Sequence, residues 1–521
     1  MGLKKKTLMW IILNCNLKSS IIMKKFKIFL ISITIILTSC TKEVTISDAD
    51  IQRIVNAAVA AALATYPSSD QIAQAAADAA RIAATEAVAA GFGDAEAFEA
   101  AVSAALAAQQ TIVELGTAGG ITKLTGVTSW TKDKTYILGG KIVVTAGATL
   151  NIEAGTLIKA LPGTGNDATA LIIARGGIIN AIGTPTAPII MTDSNDQITA
   201  KQIASGDFVS PNRTALDRSK WGGLVILGKA TISDSKTEEA IEGIVAIGSD
   251  NWNMYGGSSD GDSSGEIAYI SIRHTGTEVA PDSELQGLTL GGVGSGTRVS
   301  HIESYASGDD GLEIFGGSVN LSNMIIYSHQ DDGLDTDYGW NGTIDNVVIE
   351  LAHDSDTAFE YDGPRNPADD SGNQNTTKNV TIYGRYTQAA TDSDKGGQFK
   401  ENTFSIVQDV LLAGTAANLS TMSAMEGFQN NNGNYKSFTT PRTFGTDPVG
   451  TANLIFSDWY YNGAFVQATI VDSNTVLDNS NMDINSTFSS WATIGTSPDA
   501  DQGADLSEFT GWSVWDAQAN K

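Results

Sequence analysis

Cysteine is almost absent from this chain of 521 residues, which holds only Cys15 and Cys40, both within the first 40 residues. A small secreted domain that relies on disulfides needs a framework of paired cysteines. The sequence beyond residue 40 excludes such a framework. We therefore expect the folded part to be stabilised by its apolar core and its backbone hydrogen bonds alone.

Basic residues are also scarce, since 32 Lys and Arg stand against 59 Asp and Glu and the formal net charge is −27 at pH 7. A protein that binds nucleic acid or anionic lipid needs a positive surface to neutralise the phosphates. This charge therefore excludes both classes of partner. It is compatible with a divalent cation and with a neutral or cationic ligand.

One apolar run, residues 28–37, follows the basic segment Met23–Lys27 and is too short to span a membrane. It ends at Leu37-Thr38-Ser39-Cys40, which resembles the lipobox of bacterial lipoproteins. The resemblance implies a leader over residues 1–39, with Met23 as the true start, and lipidation of Cys40. Residues 40–46 would then form a tether, and the membrane would be reached through the lipid alone.

Alanine dominates residues 47–116. Alanine favours helix but buries little area, so such helices need to pack on each other, on the next domain or on a partner chain. We predict an Ala-rich α-helical stalk, in which a dimeric or trimeric coiled coil remains open. The stretch Gly116–Gly120 predicts the boundary to a second domain over residues 121–521.

A short motif recurs in that second domain: a small or polar residue, a large apolar residue, then a polar residue. Units that repeat at this size build stacked architectures, because one unit cannot bury its apolar face alone. The spacings are 24, 22, 25, 40 and 29 residues between the apolar members Leu288, Leu312, Leu334, Phe359, Phe399 and Phe428.

A second repeat runs out of phase with the first and pairs a polar residue with an apolar one. Two strands per coil, separated by Gly, Asp and Ser corners, predict an all-β parallel β-helix with an Asn/Asp ladder at a bend. The pairs are Tyr269-Ile270, His301-Ile302, Asn323-Met324, Asn346-Val347, Asn379-Val380, Asp409-Val410 and Asn453-Leu454.

Three further motifs carry a resemblance to a known family: Gly183-Thr184 with Pro188–Thr192, Trp221-Gly222-Gly223, and Asp309–Gly317. Over residues 120–521 the chain resembles the secreted right-handed parallel β-helix lipoproteins of Gram-negative bacteria. The resemblance implies the fold and a lipid-anchored place at the outer membrane, on the cell surface, but no reaction. The architecture is similar to that of pectate lyases, which is analogy at the level of the fold.

Carboxylates recur at coil spacing on one side of the predicted solenoid. Stacked carboxylates raise each other's pKa unless a cation neutralises them, so calcium bound between coils is one prediction. Turn capping by aspartate, a catalytic acid–base site and a transition metal shared with histidine are the alternatives. The predicted metal ligands are Asp309, Asp310, Asp331, Asp332, Asp335, Asp354 and Asp356.

Aromatic and charged residues beside these carboxylates predict a surface that grips sugar rings. Long insertions after Phe359 and after Asn430 would build its rim, and the final stretch with Trp491, Phe509, Trp512 and Trp515 would cap the C-terminal end. The predicted ligand-binding residues are Glu313, His329, Asp337, Tyr338, Trp340, His353, Glu360, Tyr361, Asp362, Arg365 and Lys400.

Two functions of different classes follow from these residues. The first is a non-catalytic surface lipoprotein that binds a glycan or a divalent cation and has an outer-membrane receptor as its partner. The second is a polysaccharide lyase or hydrolase that uses the carboxylates near Asp331 to Glu360. No nucleophile motif, phosphate loop or zinc signature occurs in the sequence. The binding protein is therefore the favoured prediction.

Overall fold

The architecture comes from a computed structural model. It describes residues 111–233, 236–244, 250–281, 283–364, 374–383, 394–395, 397–399, 403–413, 422–423, 426–427, 444–445, 454–462, 492–495 and 502–519. The predicted leader, the tether and residues 47–110 of the predicted stalk lie outside the described residues, as do Phe428, Trp491 and all of the insertion after Asn430 except residues 444–445. Residues 111–116, which were predicted to end the helical stalk, belong to a β-strand instead. Within the described part, no helix combines the length and apolarity that a membrane crossing requires.

Thirty strands occur in the described residues, numbered along the chain. The first fifteen are β1 Thr111–Leu124, β2 Val127–Trp130, β3 Lys134–Val144, β4 Thr149–Ile152, β5 Leu157–Ala160, β6 Ala170–Ile173, β7 Ile178–Ile182, β8 Ile189–Asp193, β9 Leu224–Leu227, β10 Glu238–Ala240, β11 Met254–Gly256, β12 Gly265–Arg273, β13 Thr277–Ala280, β14 Ser283–Leu285 and β15 Leu288–Val293.

The other fifteen are β16 Arg298–Tyr305, β17 Leu312–Gly317, β18 Asn320–Tyr327, β19 Asp332–Asp337, β20 Thr343–Glu350, β21 Thr357–Tyr361, β22 Gln374–Tyr383, β23 Asp394–Lys395, β24 Gln398–Phe399, β25 Phe404–Ala413, β26 Met422–Ser423, β27 Glu426–Gly427, β28 Phe444–Gly445, β29 Leu454–Asn462 and β30 Ala492–Gly495. Two short α-helices, α1 Ala200–Ala204 and α2 Val514–Ala519, and two 3-10 turns, Gly165–Asp167 and Leu506–Phe509, complete the described elements.

Parallel pairing joins 26 of these strands into a β-helix with three sheets rather than the two predicted strands per coil. The first sheet contains β2, β4, β7 and the N-terminal halves of the long strands, such as β12 and β16. The second contains β5, β8 and the C-terminal halves of those strands. The third contains β6, β9, β15, β17, β19 and β21. The all-β, parallel character that the sequence predicted is thereby confirmed.

The bend between the first and second sheets explains the run of asparagines and aspartates. At this position the backbone is left-handed, with φ between 52° and 66°, a conformation in which Asn, Asp and His are enriched. Asn346 Nδ2 donates to Asn323 Oδ1 at 2.7 Å, and Asn323 Nδ2 lies 3.1 Å from His301 Nε2. The predicted amide ladder is therefore present at this bend.

The predicted register holds in the middle of the β-helix and shifts beyond it. Leu288, Leu312, Leu334 and Phe359 stack in the interior as predicted. Phe399, however, pairs with Tyr361 rather than with Phe359. A shift of two residues keeps each side chain on the same face, so the apolar pattern alone could not reveal it.

The register also shifts at the end of the second repeat, here by five residues. Trp459, not Leu454, is the partner of Val410, and Leu454 pairs with Ser405. The predicted domain boundary also moves, because Gly116–Gly120 lies inside strand β1 and the unit that contains the β-helix begins at residue 112.

Two covering segments close the outer face of the second sheet. Ile198, Ile203 and Phe208 pack over its first coils. The C-terminal segment 502–519 continues along later coils, where Phe509, Trp512 and Trp515 pack on Ile325 and Val348. The C-terminal aromatics thus line a flank of the β-helix, and the prediction that they cap its end is wrong for Phe509, Trp512 and Trp515.

Candidate cation-binding face

Aspartates at the corner before the third sheet link successive coils. Asp310 Oδ1 accepts the backbone N–H of Asp332 at 2.9 Å, and Asp332 Oδ1 accepts that of Thr357 at 2.9 Å. Each bond satisfies a corner N–H of the next coil, as aspartate commonly does in turns. Turn capping therefore accounts for one oxygen of Asp310 and one of Asp332.

Strand alternation adds a row of carboxylates next to this corner. Glu313, Asp335 and Glu360 occupy one outward position of β17, β19 and β21 in successive coils. Parallel strands lie about 4.8 Å apart, so the row repeats at that spacing. Seven carboxylates of the corner and the row form the acidic face, and Glu360 lies at its margin. The seven are Asp309, Asp310, Glu313, Asp331, Asp332, Asp335 and Asp356.

Three groups within the acidic face bring carboxylate oxygens within 4.8 Å of one another. Two oxygens that both bind one calcium ion at about 2.4 Å cannot lie further apart than about 4.8 Å. Each group therefore has the compactness that a single ion requires. The groups are Asp309 with Asp310 and Asp331, Asp310 with Glu313 and Asp335, and Asp331 with Asp332 and Asp356.

The second group differs from the others in its burial. Asp310 is 5% exposed and Glu313 is 7% exposed. Glu313 Oε2 is enclosed and has no hydrogen-bond partner among the described residues. A buried carboxylate oxygen without a partner is costly, because it has lost its hydration and gained nothing in return. A cation bound here would supply the missing interaction.

The pKa values of these carboxyls reflect the same cost of burying a negative charge without a partner. Burial, followed by the charge of Asp331, raises the pKa of Asp309 to about 7. Burial and the neighbouring Asp309 raise the pKa of Asp310 well above its ordinary value. Burial and the charge of Asp335 do the same to the pKa of Glu313. Without a cation, protons must replace part of the missing positive charge near neutral pH.

Three polar residues at this face are missing from the predicted site. Glu242 and Glu284 contribute to the raised pKa values of Glu313 and Asp309, respectively. Gln286 Nε2 donates to Asp309 Oδ2 at 3.1 Å. Glu242 and Glu284 belong to segments outside the periodic strands, whereas Gln286 stands two residues before Leu288, as Asp310 stands before Leu312, so that the register of the repeat could have aligned it with the aspartates.

Asp354 does not belong to the acidic face, although the sequence predicted it as a metal ligand. Arg218 approaches both of its carboxylate oxygens at 2.8 Å and is itself 7% exposed. One guanidinium nitrogen, Nη1, donates to both oxygens, and this ion pair already neutralises the charge of Asp354. His353 Nδ1 lies 3.3 Å from Oδ1 of Asp354, so His353 is a second neighbour of this carboxylate.

His329 is enclosed at the corner between the second and third sheets. Its Nε2 lies 3.1 Å from the carbonyl oxygen of Thr357, and its side chain is fully buried. Burial lowers the pKa of His329 to about 4, so the ring is neutral at pH 7 and donates from Nε2. The predicted contact with an external ligand does not fit this position.

The predicted sugar-stacking aromatics also lie away from solvent. Trp340 and Tyr361 sit in the interior core, where Trp340 Nε1 donates to the carbonyl of Val319 and the Tyr361 hydroxyl meets Thr377. Tyr338 packs against Tyr255 and Phe315 on the outer side of the third sheet. A sugar cannot stack on these rings. Trp340 and Tyr361 point into the interior of the β-helix, and Tyr338 is covered by the aromatic residues that pack against it.

Three further predicted ligand-binding residues, Asp337, Glu360 and Asp362, lie at the margin of the acidic face. Asp337 is 5% exposed and accepts the backbone N–H of Tyr338 at 3.0 Å. Glu360 and Asp362 are partly exposed. Arg365 and Lys400 lie outside the described residues.

Parallel pairing in three sheets and a row of carboxylates on the third sheet define a parallel β-helix with an acidic outer face. Residues 119–493 match the model of the pectate-lyase-like β-helix domain, and the chain belongs to that family. Neither the curated proteins nor the solved structures contain a significant match.

Proposed function

We propose that the protein binds a divalent cation, calcium by its chemistry, at Asp310, Glu313 and Asp335. The observation that carries this proposal is the enclosed oxygen of Glu313, which lacks a partner. Calcium prefers carboxylate and carbonyl oxygens and tolerates irregular geometry. Three carboxylates of neighbouring coils supply such oxygens within the required distance.

We further propose that the cation serves to bind a glycan without cleaving it. Membership of the pectate-lyase-like family supports a role with polysaccharides. Calcium takes about six to eight oxygen ligands, so positions that the protein does not fill would be open to the hydroxyl or carboxylate oxygens of a sugar. It would also allow a chain of net charge −27 to hold an acidic polysaccharide, which it would otherwise repel.

Calcium titration of thermal unfolding tests the cation site. An ion that binds only the folded state raises its stability by about 2.7 kcal/mol at 100 times the dissociation constant. We expect millimolar calcium to raise the melting temperature of the wild type, and a chelator to reverse the rise. The double variant Glu313→Gln with Asp335→Asn should lose most of this response.

Glu266→Gln is the matched control for charge, because Glu266 lies on the first sheet beside Arg298. It should keep the full response to calcium. Equal responses of the double variant and the control would contradict the proposed site. Retention of the protein on immobilised acidic polysaccharide with calcium, and its release by chelator, tests the glycan step.

Polysaccharide cleavage is the second candidate function, favoured by one observation. The pKa of Asp309 is raised to about 7, a value that suits a general acid or base at neutral pH. Release of reducing ends, or of unsaturated products that absorb in the ultraviolet, would reveal hydrolysis or elimination. Activity that disappears in Asp309→Asn would replace the binding proposal with an enzyme.

We also propose that lipidation at Cys40 anchors the protein at the outer membrane, on the cell surface, where an outer-membrane receptor could take up its ligand. The lipobox-like sequence before Cys40 supports this proposal. Cys40→Ala should move the protein from the membrane fraction to the soluble fraction. Unchanged membrane retention of that variant would contradict lipid anchoring.

A further inference from the structure

The C-terminal segment 502–519 lies over the second sheet and is attached to it near both of its ends. Near the start, the backbone N–H of Asp505 donates to Asn346 Oδ1 at 2.7 Å. Near the end, the backbone N–H of Trp515 donates to Glu303 Oε1 at 2.9 Å. Between these points the carboxylate of Glu508 approaches the bend, where its Oε2 lies 3.1 Å from Nε2 of a histidine, His301. This histidine also belongs to the amide ladder.

The amide ladder has a fixed direction, because a backbone N–H can only donate. Asn346 accepts the N–H of Asp505 through Oδ1, so its other side-chain atom, Nδ2, is the donor to Asn323 Oδ1 at 2.7 Å. Asn323 then turns its own Nδ2 toward His301, whose Nε2 lies 3.1 Å away. The orientation of an amide side chain is assigned from such partners. The ladder therefore requires Nε2 of His301 to be an acceptor.

The carboxylate of Glu508 requires the opposite. An ionised carboxylate only accepts, so Nε2 must carry a proton in order to bond to Glu508. In a neutral ring, Nε2 either accepts from Asn323 or donates to Glu508, and the other contact is lost. The second ring nitrogen, Nδ1, is enclosed and has no hydrogen-bond partner among the described residues. A neutral His301 therefore cannot satisfy the ladder and the C-terminal segment together.

Uptake of a proton resolves this conflict in favour of the C-terminal segment. A charged ring donates from Nε2, and its bond to Glu508 becomes charge-assisted. Two ionisable side chains face the ring in the described structure, Glu508 from the segment and Tyr269 from β12. Tyr269 stacks on the ring with the centroids 4.1 Å apart and an angle of 18° between the planes, an arrangement that favours a cation. Both neighbours therefore stabilise the protonated form of His301.

We propose that His301 is a pH-sensitive switch, which attaches the C-terminal segment more firmly as pH falls and less firmly as pH rises. Histidine is the side chain whose charge normally changes between about pH 5 and 8. At the acidic end of this range the bond to Glu508 holds the segment. At the basic end Nε2 accepts from Asn323, and Glu508 turns to solvent. Loosening of the segment would uncover the apolar side chains beneath it, Ile325 and Val348.

The switch lies on a different sheet from the acidic face and needs no cation. It acts through a contact between the bend and the C-terminal segment, whereas the proposed calcium site uses carboxylates of the third sheet. This inference therefore stands independently of the proposed calcium site and of any ligand that the cation would hold.

Hydrogen–deuterium exchange of the full-length protein, measured by mass spectrometry over residues 502–519, tests the switch. Protection factors compare each exchange rate with that of the unfolded peptide at the same pH, which removes the intrinsic effect of pH on exchange. EDTA is present throughout, so that cations do not contribute. In the wild type we expect protection of the segment to be about fivefold higher at pH 5.5 than at pH 7.5, as one charged hydrogen bond at a partly exposed site implies.

Three variants separate the switch from other effects of pH. Glu508→Gln removes the charge at a position that is 48% exposed and should abolish most of the difference in protection. Glu266→Gln removes the same charge on the first sheet and should keep the difference. Asn323→Asp keeps the shape of the ladder but gives Nε2 a second carboxylate as partner. The ring should then stay protonated, and the segment protected, to a higher pH than in the wild type.

Glu303 and Glu350 also bind the segment, since both accept hydrogen bonds from Trp515. They are present in every variant, so the difference between the wild type and Glu508→Gln excludes their own response to pH. Equal pH dependence in these two proteins, or protection in the wild type that does not change with pH, would overturn the proposal. So would the wild-type pH profile in Asn323→Asp, because the amide would then not compete for the ring. None of these outcomes bears on the proposed calcium site.

Discussion

The outer face of the third sheet has an apolar half and an acidic half on one continuous row of positions. Register places Val143, Ile172 and Val225 in the row first, then Thr289, then Glu313, Asp335 and Glu360. The apolar members are buried under a further covering segment, over the third sheet, which includes Ile241 and Trp252. The acidic members lie beside the corner that carries Asp310 and Asp332.

The inward row beside it shows no such change. Ile142, Leu171, Leu224, Leu288, Leu312, Leu334 and Phe359 are all apolar and all lie in one core. The fold therefore constrains the inward position of every coil, whereas the outward position follows whatever lies over it. Functional residues of such a solenoid lie at outward positions, because substitutions there leave the packing of the interior unchanged.

The largest expected effect comes from a charge on the inward row. Leu334 is fully buried between Leu312 and Phe359, so Leu334→Asp would place a carboxylate in the core without a partner. We expect a loss of about 4 kcal/mol or more in the free energy of unfolding, with disruption of neighbouring coils. Denaturant unfolding measures it. Leu334→Met, which keeps size and polarity, should cost less than about 1.5 kcal/mol.

A slightly smaller effect should separate the two halves of the outward row. Val225 is fully buried under the covering segments, and Val225→Asp should destabilise the protein by about 3 kcal/mol. The opposite change, Asp335→Val in the same row, removes a repelling charge and should cost little in chelator. Comparable losses for the two variants would contradict the division of the row into a covered half and an acidic half.

The sequence predicted the inward row well because periodicity reports burial directly. Leu312, Leu334 and Phe359 recur at nearly even spacing, and strand alternation fixes which neighbours point outward. Register failed where an insertion broke the spacing, as at Phe399. The sequence analysis counted two strands per coil because it took the second repeat as one strand, whereas the left-handed bend at the Asn/Asp positions divides that strand between the first and second sheets.

The covering segments could not be predicted in the same way. Glu242 and Glu284 reach the acidic face from segments without periodicity, and Arg218 meets Asp354 across 136 residues of sequence. Aromatic residues near carboxylates suggested a sugar site, yet Trp340 and Tyr361 are inward residues. Glu313, Asp335 and Glu360 do occupy one outward row as predicted, although Glu313 is buried there.

The smallest expected effect is a change in the pH dependence of stability. It arises at the acidic half of the third sheet and not at the covered half. The pKa of Asp309 is about 7 in the folded state and close to 4 in the unfolded chain. Between these values the folded protein holds a proton that the unfolded chain has released. The free energy of unfolding therefore falls as pH rises through this window, and the penalty is complete above pH 7.

His274 and His329 act with the opposite sign, because burial lowers the pKa of each to about 4. The folded protein then binds fewer protons than the unfolded chain between about pH 4 and 6.5, so their contribution rises with pH. This contribution is common to the wild type and to Asp309→Asn. The difference between the two proteins therefore isolates the carboxyl.

Denaturant unfolding in chelator at pH 5, 6, 7 and 8 measures this difference. We expect Asp309→Asn to gain on the order of 2 kcal/mol relative to the wild type between pH 5 and pH 8, since each unit of pKa corresponds to about 1.4 kcal/mol. Calcium should remove the difference at pH 8, because the ion replaces the proton as the source of positive charge. Parallel stability curves for the two proteins would show that Asp309 is solvated like an ordinary surface carboxylate, and the acidic half would then impose no strain that a cation could relieve.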